Sequence, residues 1–231
     1  MNKLLLTAIL LLLSFSALAQ SHEYAPLQEH DLKYKDWTYK TIQGDAEVNL
    51  RTAIKGKKLV MVVYFASWCP NWRNQAPFTE KLYEKYKGSG FEVIGVSEYS
   101  LLNDVKTNLE SNKITFPIVV ESDSRAMRDK TAHYEYRQET GDTRNWGSPW
   151  NIFLQPAMLK KDGDVLAGKA FVVNGELIEA DVEAFIREKL GLPKEEKKAA
   201  AAAAPAATAQ AQNKAPEVCA EDPKLLNLKK P

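Results

Sequence analysis

Cysteine is scarce in this chain. Only Cys69 and Cys219 occur in 231 residues. That excludes the disulfide framework on which small secreted domains rely. Histidine is equally thin, with three residues, His22, His30 and His133. Charge of one sign is missing too. Lys and Arg total 31 against 30 Asp and Glu, so the basic footprint of a nucleic-acid binder is absent and no nucleic-acid partner is expected. No glycine-rich phosphate cradle and no Ser/His/Asp arrangement stands out. No apolar run approaches the ~20 residues of a spanning helix.

The longest apolar run, residues 4–13, has a different use. Lys3 precedes it and Ala17-Leu18-Ala19 follows it. A positive start, a short apolar core and a small-residue end make a secretory signal, cut after about Ala19. The expected location is periplasmic or secreted, with no stable membrane anchor after signal removal. The rest, with 26% charged and 45% hydrophobic residues over the whole chain, has the balance of a globular protein.

Residues 20–36 are polar and carry little pattern, so they read as an N-terminal extension. A folded domain is expected over 37–192. WTYKTI (37–42) is strand-like, and LVMVVYFA (59–66) reads as a strand buried on both faces. Pro70 can open a helix, and Phe78, Leu82 and Tyr86 recur at helical spacing up to 87–88. FEVIGV (91–96) is a strand. LLNDVKTNLESN (101–112) is a helix with Leu102, Val105 and Leu109 on one face. ITFPIVV (114–120) is a strand with an early proline. Residues 124–146 are polar and ambiguous, a short helix and a long loop. WNIFLQ (150–155), a turn at Asp162-Gly163, a strand to about Val173 and a helix over 179–190 complete the order. This βαβαβ order with a closing hairpin predicts an α/β fold with a mixed, mainly parallel sheet flanked by helices. Residues 193–231 are low in complexity and rich in Ala, Lys and Pro. They cannot bury enough surface to offset their ordering entropy, so a disordered tail carrying Cys219 is expected.

The chemistry centres on YFASWCPNWRNQAPF. Cys69 falls between a buried strand and a helix start, where unsatisfied backbone N–H groups favour a thiolate. A solvent-wet sulfur is expected there. Arg73, one turn on, either adds positive charge or points to solvent. A second cysteine is absent locally, because Trp72 stands three residues after Cys69. Such a site makes mixed disulfides but cannot release them by local attack. Cys219 lies about 27 residues beyond Leu192, a span with an r.m.s. reach of roughly 30 Å, so it can meet Cys69 as a resolving or capping thiol. The alternative is a tail cysteine that is free, modified or joined to another chain.

The segment LVMVVYFASWCPNWRNQAPF resembles the active-site strand and helix of thioredoxin-fold proteins. It is most similar to the secreted and membrane-anchored reductases of the TlpA/ResA type and the related redoxin (AhpC/TSA) grouping. The matching features are Gly56-Lys57, Phe65 through Pro70, Arg73 and Pro77, then Ser148-Pro149 before WNIFLQ, and Asp162-Gly163. The resemblance spans about 37–192. It implies a thiol–disulfide oxidoreductase, a cis-proline at Pro149, and protein or small-thiol disulfide substrates, with no cofactor and no metal. Three positions depart from the pattern: Trp72 replaces the resolving cysteine, Gln75 replaces a proton-moving glutamate, and Val63 replaces thioredoxin's buried aspartate. Ala66 stands where peroxiredoxins carry threonine or serine, which argues against direct peroxidase chemistry.

Candidate binding residues are Trp68, Pro70, Trp72, Ser148 and Pro149. The two indoles either shape a peptide surface or simply pack. His133 is weighed as a partner of Cys69 in a copper site like that of the SCO proteins, against a surface histidine, which is the favoured reading because no closed ligand set can be assembled. Asp123, Asp129, Glu135 and Glu139 read as a solvated loop face. Two rivals to the oxidoreductase stay open: a non-catalytic thioredoxin-fold module that holds polypeptides, and a metal-delivery protein.

Overall fold

A computed structural model describes residues 22–44 and 46–194. The proposed signal and the tail with Cys219 lie outside the described residues. The strands are β1 (Tyr24–Ala25), β2 (Gln28–Tyr34), β3 (Thr38–Thr41), β4 (Glu47–Asn49), β5 (Leu59–Phe65), β6 (Phe91–Ser97), β7 (Ile118–Val120), β8 (Trp150–Leu154), β9 (Leu166–Val173) and β10 (Glu176–Leu177). The helices are α1 (Leu50–Ala53), α2 (Pro70–Tyr86), α3 (Leu102–Ser111), α4 (Ala132–Glu139) and α5 (Glu179–Leu190).

Among the described residues, eight strands form one sheet in the order β2-β9-β8-β5-β6-β7-β3-β4, and β1 pairs with β10. Every residue of β5 is buried. Its alternation splits the core in two. Met61, Val63 and Phe65 join Trp72, Ala76 and Leu82 of α2 and Phe185 and Ile186 of α5. Val60, Val62 and Tyr64 join Tyr34, Trp37, Leu50, Tyr136 and Trp150 on the other face. The α/β architecture with helices on a central sheet is as expected.

Within the eight-stranded sheet, however, parallel pairing is confined to β5–β6 and β6–β7, and β1 pairs parallel with β10 outside it. The strands on either side of this trio pair antiparallel. The expectation of a mainly parallel sheet therefore holds only for its centre. The cause is partly at the N-terminus. Residues 28–34, read as part of a patternless extension, form β2, which pairs with β9 over its whole length. Leu32 and Tyr34 point inward while the intervening residues face water. The sheet thus begins before Trp37.

Two smaller differences have plain causes. Leu102 is exposed while Val105 and Leu109 are buried, so the apolar face of α3 starts one turn later than predicted. Strand β7 starts at Ile118, immediately after Pro117, whose ring removes a ladder donor. The ambiguous stretch contains α4, capped by Thr131 through its side chain, then a loop over 140–149.

Candidate functional site

Cys69 is the N-cap of α2, with Pro70 at the first helical position and no side chain capping that end. Helix N-termini concentrate unpaired N–H groups and partial positive charge. The preceding turn is held from below by two serines. The Ala66 amide donates to Ser148 Oγ at 2.8 Å, and the Ser67 amide donates to Ser100 Oγ at 2.9 Å. Ser100 in turn donates to the Glu98 carbonyl.

The Ser148–Pro149 peptide bond is cis, as the resemblance implied. The Ser148 carbonyl oxygen lies 3.2 Å from Cys69 Sγ. Strand, helix start and proline loop therefore meet at one sulfur. That sulfur is not wet: Cys69 is 0% exposed, packed in the cluster that holds Phe65, Trp72, Ala76 and Trp146. The expected solvent-accessible thiol is corrected to an enclosed one.

The two indoles divide between their two readings. Trp72 is fully buried, its ring stacked on Phe65 at 4.1 Å between centroids and its Nε1 donating to Asn108. It is a core residue, which fits the packing alternative of its two readings. It faces inward because helical geometry turns the third residue after Cys69 onto the sheet. Trp68 is half-buried. Its Nε1 donates to the Tyr99 carbonyl, its ring meets Trp146 edge-on at 5.2 Å, and the Arg125 guanidinium lies 4.1 Å above it. It lines a groove of about 720 Å³ with Ser67, Arg73, Tyr99, Leu101 and Arg125. Pro70 is half-buried, while Ser148 and Pro149 are buried. Arg73 is exposed and donates from Nε to the Ser67 carbonyl at 3.1 Å, so it braces the turn.

Gln75 replaces a carboxylate with an amide and is wired accordingly. Its Nε2 donates to Asn151 Oδ1, its Oε1 accepts from the Leu177 amide, and Asn151 donates on to the Gly175 carbonyl. This buried chain is neutral throughout and carries no ionisable proton.

His133 is neither exposed nor near a ligand set. It is fully buried, stacked on Tyr64 at 5.0 Å, with Nδ1 3.2 Å from the Tyr99 hydroxyl. Burial pushes its pKa well down, and Arg137 and Arg144 add to the effect. His133 thus bridges Tyr64 of the second core cluster and Tyr99 of the first. Among the described residues no group of three His, Cys, Asp or Glu side chains is placed to hold a metal. The polar insert hides this ring because α4 turns it inward beside Tyr136 and Arg137. Asp123, Asp129, Glu135 and Glu139 are exposed, as expected.

Sequence reasoning missed an ionic network beside the proline loop. Arg137 Nε and Asp142 Oδ2 are 3.3 Å apart and both side chains are buried. Arg144 donates to Asp142 through Nε and NH2, to Glu23 Oε2 through NH1, and to the Pro149 carbonyl through NH2 at 2.9 Å. Its NH1 also lies 3.5 Å from the Ser148 carbonyl. Glu23 accepts from Asn71 Nδ2 in the first turn of α2. Burial alone would raise the Asp142 carboxyl, but the guanidiniums of Arg144 and Arg137 reverse this and hold it below the usual range. No local motif signals these residues, since Glu23 and Arg144 stand 121 positions apart.

Comparison with known proteins agrees with this geometry. The AhpC/TSA family model matches residues 31–145. Sporulation thiol-disulfide oxidoreductase A of Bacillus subtilis (strain 168) is 27% identical over 139 residues, covering 56% of this chain and 77% of the relative. A thiol:disulfide interchange protein of the thioredoxin family from Chlorobium tepidum TLS superposes with a TM-score of 0.50 at 21% identity, over 70% of this chain and 97% of that one. A DsbF homologue from Corynebacterium diphtheriae superposes with a TM-score of 0.50 at 18% identity, over 69% of this chain and 92% of that one. The segment matched by the family model runs from within β2 through Cys69 to Asn145, one position past Arg144, and with the fold these matches share it shows that the chain belongs to the AhpC/TSA family of thioredoxin-like redoxins.

Proposed function

We propose that the protein is an exported thiol–disulfide oxidoreductase that works through Cys69. One observation carries the reading: the sulfur stands at a helix start that no side chain caps and lies 3.2 Å from the Ser148 carbonyl of the cis-proline loop. The name and identity of the Bacillus subtilis relative support the same chemistry.

In the reduced protein the Cys69 thiolate attacks a substrate disulfide. A mixed disulfide forms and one substrate thiolate leaves. Trp72 offers no second sulfur, so Cys219 is the resolving group. Its thiolate attacks Cys69 Sγ, releases the second substrate thiolate and leaves a Cys69–Cys219 disulfide. Two electrons pass from the two protein thiols to the substrate. Reach supports this pairing, as does the fact that Cys69 is not a free thiol. The enclosed sulfur must be uncovered before it reacts, so the covering groups gate access. Substrates are protein or small-thiol disulfides, met in the periplasm or outside the cell.

Intact-mass analysis with peptide mapping of the oxidised full chain tests the scheme. A monomer with Cys69 and Cys219 in one linked peptide is expected, together with loss of mixed disulfides in Cys69→Ser. Two free thiols after mild oxidation would remove Cys219 from the cycle. Unchanged capture of a substrate by Cys69→Ser would remove the whole reading.

A second reading is favoured by two observations, the sealed sulfur and the groove beside Trp68. A non-catalytic module would hold polypeptides there. Its reduced Cys69 would alkylate with the pH profile of an ordinary cysteine, midpoint about 8.5.

A further inference from the structure

We propose that Arg144 is a positioning residue for the reaction, clamping the Ser148–Pro149 loop over Cys69 and setting the electrostatics of its sulfur. The inference rests on the oxidoreductase reading above.

Two distances carry it. Cys69 Sγ and Arg144 NH1 lie 3.2 Å and 3.5 Å from the same Ser148 carbonyl oxygen, so guanidinium and sulfur are no more than 6.7 Å apart. The stronger contact, NH2 to the Pro149 carbonyl at 2.9 Å, fixes the next residue of the loop. An opposite charge within about 4–6 Å favours an ionised group, and burial strengthens that effect.

Arg144 is itself held in place. Asp142 takes two of its nitrogens, and Glu23 takes a third contact while accepting from Asn71. Glu23 reaches the site because its backbone amide donates to Glu176 Oε1 and its carbonyl accepts from the Glu176 amide. The start of the described chain, the first turn of α2 and the proline loop are thus tied through one guanidinium. Arg137 packs behind, against Asp142 and the Arg144 and Asn145 carbonyls.

Charged groups come from several of the segments that meet at the proline loop and the Cys69 turn. They are Arg144, Arg137 and Asp142 from the loop and α4, Glu23 from the N-terminal segment, Arg73 from α2, and the His22–Glu176 pair from the flank. Removing Arg144 alone would leave Glu23 without its cation and Asp142 with Arg137 only. Removing the charge of Glu23 would do the reverse. The two changes therefore carry opposite signs, which a general loss of packing would not produce.

The experiment uses the full chain carrying Cys219→Ser, so that Cys69 is its only thiol. After reduction, the rate of carbamidomethylation by iodoacetamide is followed against pH. Arg144→Gln is expected to raise the midpoint by about one unit, lowering the rate near neutral pH about tenfold. Glu23→Gln is expected to lower it. Arg144→Lys is expected to keep the parent midpoint, because it keeps the charge, while slowing mixed-disulfide formation with oxidised glutathione through loss of the forked contact. An unchanged midpoint in Arg144→Gln, or shifts of the same sign in Arg144→Gln and Glu23→Gln, would overturn the proposal. Should Arg144→Gln fail to fold, a Glu23→Gln midpoint that stays or rises overturns it alone. The parent reading fails separately, if the reduced parent forms no mixed disulfide with oxidised glutathione at any pH.

Discussion

At the scale of single residues, the replacement of a resolving sulfur by an indole is a structural commitment. Trp72 packs α2 against Phe65 of β5 and satisfies its Nε1 on Asn108. Restoring a cysteine there would recreate a two-sulfur motif but empty a ring-sized volume from the core. Large-to-small changes of this kind cost about 3–5 kcal/mol, because the surroundings relax only in part. Trp72→Cys is therefore expected to lose on the order of 3 kcal/mol in urea unfolding of the reduced protein. A loss below about 1 kcal/mol would mean that the indole is not part of the packed core. The site can regain its local sulfur only by giving up packing, which leaves the distant Cys219 as the second thiol of the chain.

At the scale of elements, what could be read from the chain depended on how local its cause was. Strand β5 and helix α2 were legible because β5 is apolar throughout and Phe78, Leu82 and Tyr86 mark one helical face. Ser148-Pro149 and the Cys69 helix start were legible from motif order. Strand β2 was not, because only Leu32 and Tyr34 of its seven residues are buried and its existence depends on β9, more than 130 positions on. Helix α4 hid for a similar reason: it buries His133, Tyr136 and Arg137, a set that no hydrophobic count would choose. The loop after α4 offers a sharp test. Gly141 and Gly147 both have positive φ, 72° and 56°. A Cβ at Gly141 would meet open space, whereas one at Gly147 would fall 1.8 Å from Arg137 Nε. Gly141→Ala should cost about 1–2 kcal/mol, the ordinary left-handed penalty. Gly147→Ala adds displacement of a buried ion pair and should cost about 3–5 kcal/mol. Chemical unfolding of both variants checks the order, and equal losses would mean that Arg137 does not brace the loop. Because Gly147 precedes Ser148, only Gly147→Ala should also slow the reaction of Cys69.

At the scale of the whole molecule, two buried groups, Glu98 and His133, set how stability follows pH. Glu98 is fully buried, and its carboxyl faces that of Glu121 at hydrogen-bonding range. Burial raises its pKa well above the usual glutamate range, and the nearby charge of Glu121 raises it further. The folded protein therefore keeps a proton that the unfolded chain releases above about pH 4.3. Stability from this group is whole below that pH and declines as pH rises toward the folded value, by up to about 1.4 kcal/mol per unit. His133 acts in the opposite direction. Its folded pKa lies well below the ordinary histidine value, so the unfolded chain alone takes up a proton below about pH 6.5, and stability declines as pH falls through that region. Between about pH 4.3 and 6.5 the two slopes oppose each other. Glu98→Gln should leave the urea midpoint at pH 4 near that of the parent and raise it increasingly toward pH 8, moving the stability optimum upward. His133→Gln should flatten the acid side and move the optimum downward. If Glu98→Gln showed the same difference from the parent at pH 4 and pH 8, Glu98 would have to be ionised in the folded state, with its charge met by a partner in the interior.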